Sequence, residues 1–230
     1  NRALAMQWSL VRQRADNARL VEALARPSPM AAAAAKPNPA DEAGAEELAI
    51  LRQRLTEAAA VLKRTRFKEG AATRGGRWLY QLPWFLILGA PGSGKTTALL
   101  NSGLKFPLSG AAGRAPLRDL GGTRNCDWWF TDDAVLIDTA GRYATQDSAR
   151  AVDSQVWLGF LDLLKRHRAR QPINGALLTV SVPDLIVWNE AERAEHAHAL
   201  KQRLKELHEQ LGVRFPVYLV LTKADLLPGF

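Results

Sequence analysis

Residues 89–96 read Gly-Ala-Pro-Gly-Ser-Gly-Lys-Thr, the G-x-x-x-x-G-K-T spacing of a phosphate-binding loop. Glycines in such a loop let backbone N–H groups wrap an anion, and the helix that follows adds its dipole. Lys95 would reach the β- and γ-phosphates of a nucleotide, and the Thr96 hydroxyl would bind Mg²⁺. The residues predicted to bind the nucleotide here are Gly89, Ala90, Pro91, Gly92, Ser93, Gly94, Lys95, Thr96 and Thr97.

A second motif, Asp138-Thr139-Ala140-Gly141, follows a short apolar run. A carboxylate at the end of a strand beside the loop would hold Mg²⁺ through a water molecule, so Asp138 is a predicted metal ligand. Gly141 would leave its backbone N–H free to approach a γ-phosphate. Motor-type ATPases have a Glu base directly after the magnesium Asp, whereas Thr139 stands here. The D-x-x-G pattern is instead typical of the switch of a small GTPase.

The third motif, Thr222-Lys223-Ala224-Asp225, resembles the N/T-K-x-D sequence that reads guanine. The Asp225 carboxylate could accept hydrogen bonds from the N1–H and the exocyclic amine of guanine, which adenine cannot supply. The stem of Lys223 could cover the base. We therefore expect Thr222, Lys223 and Asp225 to bind GTP, with ATP as the alternative nucleotide and Mg²⁺ as the metal ion.

Two further residues concern the switch and catalysis. Thr123 lies in a long irregular stretch before the second motif, where a switch threonine would close over Mg²⁺ and the γ-phosphate. A Gly-Gly-Thr turn also needs no ligand to explain it. Arg142 follows D-x-x-G, where Ras-like proteins have a water-positioning Gln; it cannot act as a base but could stabilise transition-state charge, together with Lys95. We expect hydrolysis to be slow or to depend on a partner.

The three motifs follow three predicted strands, at residues 84–88, 134–137 and 217–221. Open α/β sheets bind ligands at the carboxyl ends of their strands, so the motifs should meet at one edge. The sequence predicts a three-layer α/β sandwich of the P-loop NTPase, GTPase-like kind, with a mostly parallel sheet and one antiparallel edge hairpin. The other predicted elements are a strand at 126–130 in that hairpin, a strand at 173–182 and helices at 95–101, 150–167 and 191–211. In the last helix, the residues expected to face the sheet are Ala197, Leu200, Leu204, Leu207 and Leu211.

Four segments are predicted along the chain. Residues 1–26 form a basic amphipathic helix, which is either a solvated helical face or a juxtamembrane helix. Residues 27–44 are a linker rich in Pro and Ala, and 45–76 a helical extension whose helix ends near residue 68. Its leucine stripe is short, which favours docking on its own domain over pairing with another chain. Residues 77–230 form the P-loop domain, expected to be truncated at its C-terminal end.

Composition limits the function classes. The 230 residues are 47% hydrophobic and carry a formal net charge of +8, which suits a globular chain that contacts nucleic acid, an anionic membrane or a phosphate ligand. Cys126 is the single cysteine, so no intrachain disulfide can form, and a reducing compartment and a packing role are expected. No apolar run reaches the roughly 18 residues of a membrane span. The first residue is Asn1 rather than Met, so the chain is expected to be a piece of a longer protein.

Two blocks of sequence resemble one known family. The first runs from Gly121-Gly122-Thr123-Arg124 through the paired tryptophans Trp128-Trp129 to Gly141-Arg142-Tyr143, and the second covers residues 172–182, Pro-Ile-Asn-Gly-Ala-Leu-Leu-Thr-Val-Ser-Val. These blocks are similar to the signature of the IcmF/TssM family, the large inner-membrane subunits of bacterial type VI secretion systems. The resemblance covers about residues 84–230.

The resemblance implies a nucleotide-binding domain on the cytoplasmic side of the bacterial inner membrane, anchored by membrane helices of the full-length protein. It also implies an oligomeric membrane complex in which the partners are a DotU-like inner-membrane subunit, baseplate components and an outer-membrane lipoprotein. No nucleic acid partner is expected. Within that complex the domain would be a nucleotide-dependent switch in assembly or firing. The alternatives are a scaffold with incidental nucleotide binding and an ATP-hydrolysing energiser.

Overall fold

The structure, a computed structural model, describes residues 39–64, 78–106, 125–146 and 149–230, with side chains from residue 42 onward. Within this part of the chain, the residues from Ala40 onward form one compact unit. Several predicted segments lie outside the described residues: the helix at 1–26, most of the linker, residues 65–77 of the helical extension, and Thr123.

The described residues form a five-stranded sheet in the order β2-β3-β1-β4-β5. Its strands are β1 (Trp84–Leu88), β2 (Cys126–Phe130), β3 (Val135–Thr139), β4 (Gly175–Ser181) and β5 (Val217–Thr222). The central strand β1 is parallel to β3 and β4, and β4 is parallel to β5. β2 pairs antiparallel with β3 through a tight connection. The predicted mostly parallel sheet with an antiparallel edge hairpin is confirmed.

Six α-helices are described, three of them close to their predicted bounds. They are α1 (Pro39–Arg64), α2 (Lys95–Leu100), α3 (Gly141–Thr145), α4 (Arg150–His167), α5 (Val182–Val187) and α6 (Glu190–Leu211), and a 3-10 turn follows at Ala224–Leu226. Asn189 and Glu192 form a reciprocal capping box at the start of α6, and Gly212 ends that helix with φ 67°.

Helix α1 begins at Pro39, so the prediction that the linker extends to residue 44 is wrong. Proline is compatible with a first helical turn because the N–H that it lacks has no intrahelical partner there. Leu51, Leu55, Ala58 and Leu62 of α1 are buried and belong to the same hydrophobic cluster as the sheet. The prediction that this stripe docks on its own domain is therefore confirmed.

Side chains of β1 alternate between two hydrophobic clusters. Trp84, Leu86 and Leu88 pack with residues of α1, α4 and α6, whereas Ile87 packs with Leu99 of α2. Because successive side chains of a strand point to opposite faces, this alternation places helices on both sides of the sheet. The result is the predicted layered α/β arrangement.

Three local predictions were wrong. The strand predicted to reach residue 182 ends at Ser181, where α5 begins with Pro183 in its first turn. α3 and α5 were not predicted, because helices of five or six residues are too short to show an apolar period. Ala197, predicted to face the sheet, is exposed, because the side chains that α6 buries begin at Leu200.

Candidate functional site

The three motifs meet at the carboxyl edge of the sheet. Asp138 on β3 lies beside Ile87 at the end of β1, and the glycine-rich loop (residues 89–94) connects β1 to α2. A cavity of about 690 Å³ opens there. Its walls come from the loop, from α2, from Asn125, from the start of α3 and from Lys223, and the residues lining it are Pro91, Gly92, Gly94, Lys95, Thr96, Thr97, Asn125, Ala140, Gly141, Arg142 and Lys223.

The loop depends on glycine where backbone geometry demands it. Gly92 and Gly94 have φ angles of 72° and 83°, in the left-handed region that favours glycine. A Cβ atom at Gly89 would lie 2.1 Å from the Thr179 hydroxyl of β4. Buried Ser93 hydrogen-bonds that same hydroxyl at 3.0 Å. The loop is therefore held closely against the neighbouring strand.

The Lys95 side chain folds back over the loop. Its ammonium donates hydrogen bonds to the backbone carbonyls of Gly89, at 2.9 Å, and Ala90, at 3.1 Å. Burial lowers the pKa of Lys95, and the negative charge of Asp138 partly offsets this effect. The Lys95 ammonium therefore places a positive charge at the loop, where the sequence predicts that a phosphate binds.

Two of the three predicted metal ligands, Thr96 and Asp138, are in direct contact. The Thr96 hydroxyl donates a hydrogen bond of 2.6 Å to one carboxylate oxygen of Asp138. Asp138 is fully buried within β3 rather than in the turn after it. A hydroxyl and a carboxylate are hard oxygen donors of the kind that Mg²⁺ prefers, so this pair fits a magnesium ion.

The second and third motifs both touch the loop. A Cβ atom at Gly141 would lie 2.4 Å from the backbone nitrogen of Pro91, so the start of α3 is packed directly on the loop. The Thr222 hydroxyl donates to the Ser93 carbonyl at 2.5 Å. Lys223 lines the cavity, whereas Asp225 lies exposed in the 3-10 turn and is absent from the described residues that line it.

Arg142 lines the cavity, but acidic side chains hold its guanidinium. One nitrogen donates to Asp153 of α4 at 2.7 Å, and the other contacts Glu47 of α1 and Asn125. The Tyr143 hydroxyl also donates to Glu47. Hydrogen bonds to Glu47 and Asp153 outweigh burial and raise the pKa of Arg142, so it remains charged. For Arg142 to act on a phosphate, these ion pairs would have to open.

Sequence reasoning did not identify the partners of Arg142. Glu47 lies 95 positions earlier in the chain, on a helix predicted from its leucines, and nothing in its own segment marks it. Asp153 is 11 positions away and buried at 1% exposure on the face of α4 that packs inward. A charged residue on an otherwise apolar helix face was the available signal for Asp153.

The fold and the site define a mixed α/β domain whose first strand leads through a G-x-x-x-x-G-K-T loop into a helix. Residues 150–230 match the model of the IcmF-related N-terminal domain. Over 194 residues, 84% of the chain, the sequence is 60% identical to the type VI secretion system component TssM1 of Pseudomonas aeruginosa. The chain belongs to the IcmF/TssM family of type VI secretion system proteins.

The chain spans 17% of the length of that relative. Among solved structures, the small COPII coat GTPase SAR1 of Encephalitozoon cuniculi in complex with GDP is similar over 78% of this chain and 83% of that one, at 13% identity and a TM-score of 0.27. Across the described residues, no helix has the length and apolar character that crossing a membrane requires.

Proposed function

We propose that this domain binds a magnesium nucleotide and acts as a nucleotide-dependent switch in the assembly or firing of a type VI secretion complex. The observation that carries the proposal is the contact between Thr96 and Asp138, 2.6 Å long, beside the buried ammonium of Lys95. Two motifs far apart in sequence thereby bring a hydroxyl, a carboxylate and a cation together, and Lys95 and Thr96 of this group line the cavity. GTP is the favoured nucleotide and ATP the alternative.

Each residue of the site has a defined task in this proposal. Backbone N–H groups of the glycine-rich loop and the Lys95 ammonium bind the phosphates. Thr96 and Asp138 hold Mg²⁺, which neutralises phosphate charge when bound, and Thr123 is the candidate switch residue that closes over it. Thr222 ties the third motif to the loop through Ser93. Lys223 and Asp225 would then contact the base.

The contacts of Arg142 support a switch rather than rapid turnover. Its guanidinium is paired with Glu47 and Asp153, so the residue after D-x-x-G connects the nucleotide cavity to α1 and α4. Rearrangement of α3 around a γ-phosphate would change these contacts and carry the state of the nucleotide to α1. Hydrolysis would be slow until Arg142, or a group from a partner, reaches the phosphate.

The family relationship supports a proposal for the placement of the domain. We infer that the domain lies on the cytoplasmic side of the bacterial inner membrane and is anchored there by the full-length protein. Its partners in an oligomeric complex would be a DotU-like subunit, baseplate components and an outer-membrane lipoprotein. A scaffold that only presents docking surfaces is the second candidate. An ATP-driven energiser is disfavoured because Thr139 replaces the expected Glu base.

Titration of Mg-GTP and Mg-ATP into the chain, followed by calorimetry, tests nucleotide binding. We expect saturable binding that Lys95→Ala weakens by about tenfold or more, because a charge-assisted contact to phosphate is lost. Asp225→Asn should reduce the preference for GTP over ATP. Lys201→Ala, which removes an exposed lysine of α6, is the control and should change neither. Failure of the unmodified chain to bind either nucleotide would contradict the proposal.

A secretion assay with the full-length protein in cells separates the switch from the scaffold. A switch predicts that Lys95→Ala strongly reduces secretion while the protein level stays unchanged. Normal secretion by this variant would favour the scaffold.

A further inference from the structure

A second cavity, of about 890 Å³, adjoins the glycine-rich loop. Ala90 and Pro91 of the loop form part of its wall, and the remainder comes from the end of α3, the start of α4, Trp188 and the part of α6 between residues 192 and 203. The volume lies within the range of roughly 300–1,000 Å³ that small-molecule sites occupy. None of the roles proposed above uses this cavity.

Arg203 of α6 lines this cavity and is incompletely paired. Its side chain is buried, with 7% exposure of the residue, and one terminal nitrogen donates to Glu206 at 2.8 Å. The Nε and the other terminal nitrogen have no hydrogen-bond partner among the described residues. A buried donor without an acceptor is unfavourable, so these N–H groups favour a ligand that supplies oxygen atoms.

Two more groups add donors and positive charge to the same wall. Gln146, at the end of α3, is 5% exposed, and its side-chain nitrogen also lacks a partner within the described residues. Arg150, at the start of α4, brings a second guanidinium to the cavity. Burial lowers the pKa of Arg203, Glu206 partly offsets this, and Arg150 lowers it further. Two cations that repel each other across a cavity are stabilised by an anion between them.

The acidic residues nearby do not accept hydrogen bonds from the unpaired donors of Arg203 and Gln146. Glu206 occupies one edge of the Arg203 guanidinium. Glu192 is engaged in the capping box of α6, where it accepts from the backbone of Asn189 at 2.8 Å. Glu195 is exposed, so water screens its charge. The unpaired donors of Arg203 and Gln146 therefore remain without an acceptor from any of the three carboxylates.

We propose that this cavity is a second ligand site, which binds the carboxylate or phosphate group of a small molecule through Arg150, Arg203 and Gln146. Planar bidentate recognition of such oxyanions is what a guanidinium does best. This cavity is distinct from the one that Lys95 and Thr96 line, but the two share Pro91, on which Gly141 is packed. An anion in this cavity would thus lie against both the loop and α3.

Nuclear magnetic resonance titration of the chain with inorganic phosphate and, separately, with succinate tests the proposal. The reporters are the Arg203 Nε–H signal and the indole N–H of Trp188, which lines the cavity. We expect saturable shifts of both signals with at least one of the two anions. The anion that binds more tightly, phosphate or succinate, identifies whether the site prefers a phosphate or a carboxylate group. No saturable shift with either anion would overturn the proposal.

Substitutions of the residues that line the cavity show whether the anion binds there. Arg150→Ala changes an exposed residue and should weaken binding by about tenfold, since one charge-assisted contact is lost. Arg203→Lys, which retains the charge without the planar fork, should weaken it similarly if the variant folds. Arg166→Ala on the same helix as Arg150 is the matched control and should have no effect.

Lys95→Ala separates this site from the phosphate-binding loop. Retained shifts at Trp188 in that variant support a second site, even if nucleotide binding fails altogether. Shifts that disappear with Lys95→Ala but survive Arg150→Ala would instead assign the anion to the loop and overturn the proposal.

Discussion

At the scale of single residues, the contact between Gly141 and Pro91 joins the second motif to the loop. A Cβ atom at residue 141 would meet backbone atoms of Pro91 at 2.4 and 2.5 Å, and backbone cannot rotate away as a side chain can. We predict that Gly141→Ala lowers the free energy of unfolding by about 1–3 kcal/mol, as overpacking does. Urea denaturation measures this change.

Gly92→Ala is a comparison variant within the loop that separates backbone strain from steric overlap. Residue 92 has open space around it, so a methyl group there adds only the strain of a φ angle of 72°. That strain costs about 1–2 kcal/mol. A Gly141→Ala protein as stable as the unmodified chain would show that α3 does not pack on the loop as described.

Arg168 illustrates a buried cation that stabilises structure rather than acting at the site. It is 1% exposed and donates to the carbonyls of Leu79 and Leu82 and to the Asn174 side chain. Burial lowers its pKa. Arg168→Leu should lower the free energy of unfolding by about 2–4 kcal/mol, because two buried carbonyls lose their donors.

Thermal and urea unfolding check the role of Arg168, with Arg166→Leu as the control. Arg166 is 76% exposed, and its replacement should change stability by at most about 0.5 kcal/mol. Equal stability of the two variants would argue against a structural role for the buried guanidinium.

At the scale of elements, α1 is joined to the site by a charged contact as well as by its leucines. Glu47 binds both Arg142 and the Tyr143 hydroxyl, and the Glu47 side chain is 13% exposed. A double-mutant cycle with Glu47→Gln and Arg142→Gln should give a coupling energy of about 1–2 kcal/mol, since partly buried groups in one network are not additive. The free energies of unfolding of the four proteins supply the measurement.

The neighbouring Glu46 provides the control for this cycle. Its side chain is exposed on the same turn of α1, and Glu46→Gln should show no coupling to Arg142→Gln beyond about 0.5 kcal/mol. If the Glu47 cycle gave an equally small value, the link between α1 and the residue after D-x-x-G would be energetically negligible.

At the scale of the whole molecule, β5 leaves one edge of the sheet poorly covered. Tyr218, Leu219 and Leu221 are 49%, 64% and 57% exposed, and Ile186 and Val187 of α5 are also exposed. Exposed apolar edge strands promote association between chains. We predict that the chain self-associates at high concentration and that Leu219→Lys reduces this association without changing the free energy of unfolding by more than about 0.5 kcal/mol.

Sedimentation velocity over a range of concentrations tests this prediction. Ile50→Lys changes an exposed apolar residue of α1 outside the edge and serves as the control. Sedimentation of the unmodified chain that is independent of concentration, or an equal effect of both substitutions, would contradict the assignment of the association to β5.

The motifs, the strands that precede them and the edge hairpin could be predicted from local sequence. Glycines at positive φ, a strand of five apolar residues and a tight hairpin are short-range features, and their spacing limits how the chain connects them. Parallel strands then place their carboxyl ends together, which is why Thr96 and Asp138 were expected to meet.

The other contacts around the site depend on long-range packing. They could not be predicted, because they join side chains that no local sequence pattern relates to one another. The pairing of Arg142 with Glu47 spans 95 positions, and the second cavity combines the loop with residues of α3, α4 and α6. The sequence predicted a loop with the spacing of a phosphate-binding site. Only the tertiary structure brings Glu47 to Arg142 and the incompletely paired, buried Arg203 to a cavity beside the loop. These groups approach one another only when the helices pack on the sheet.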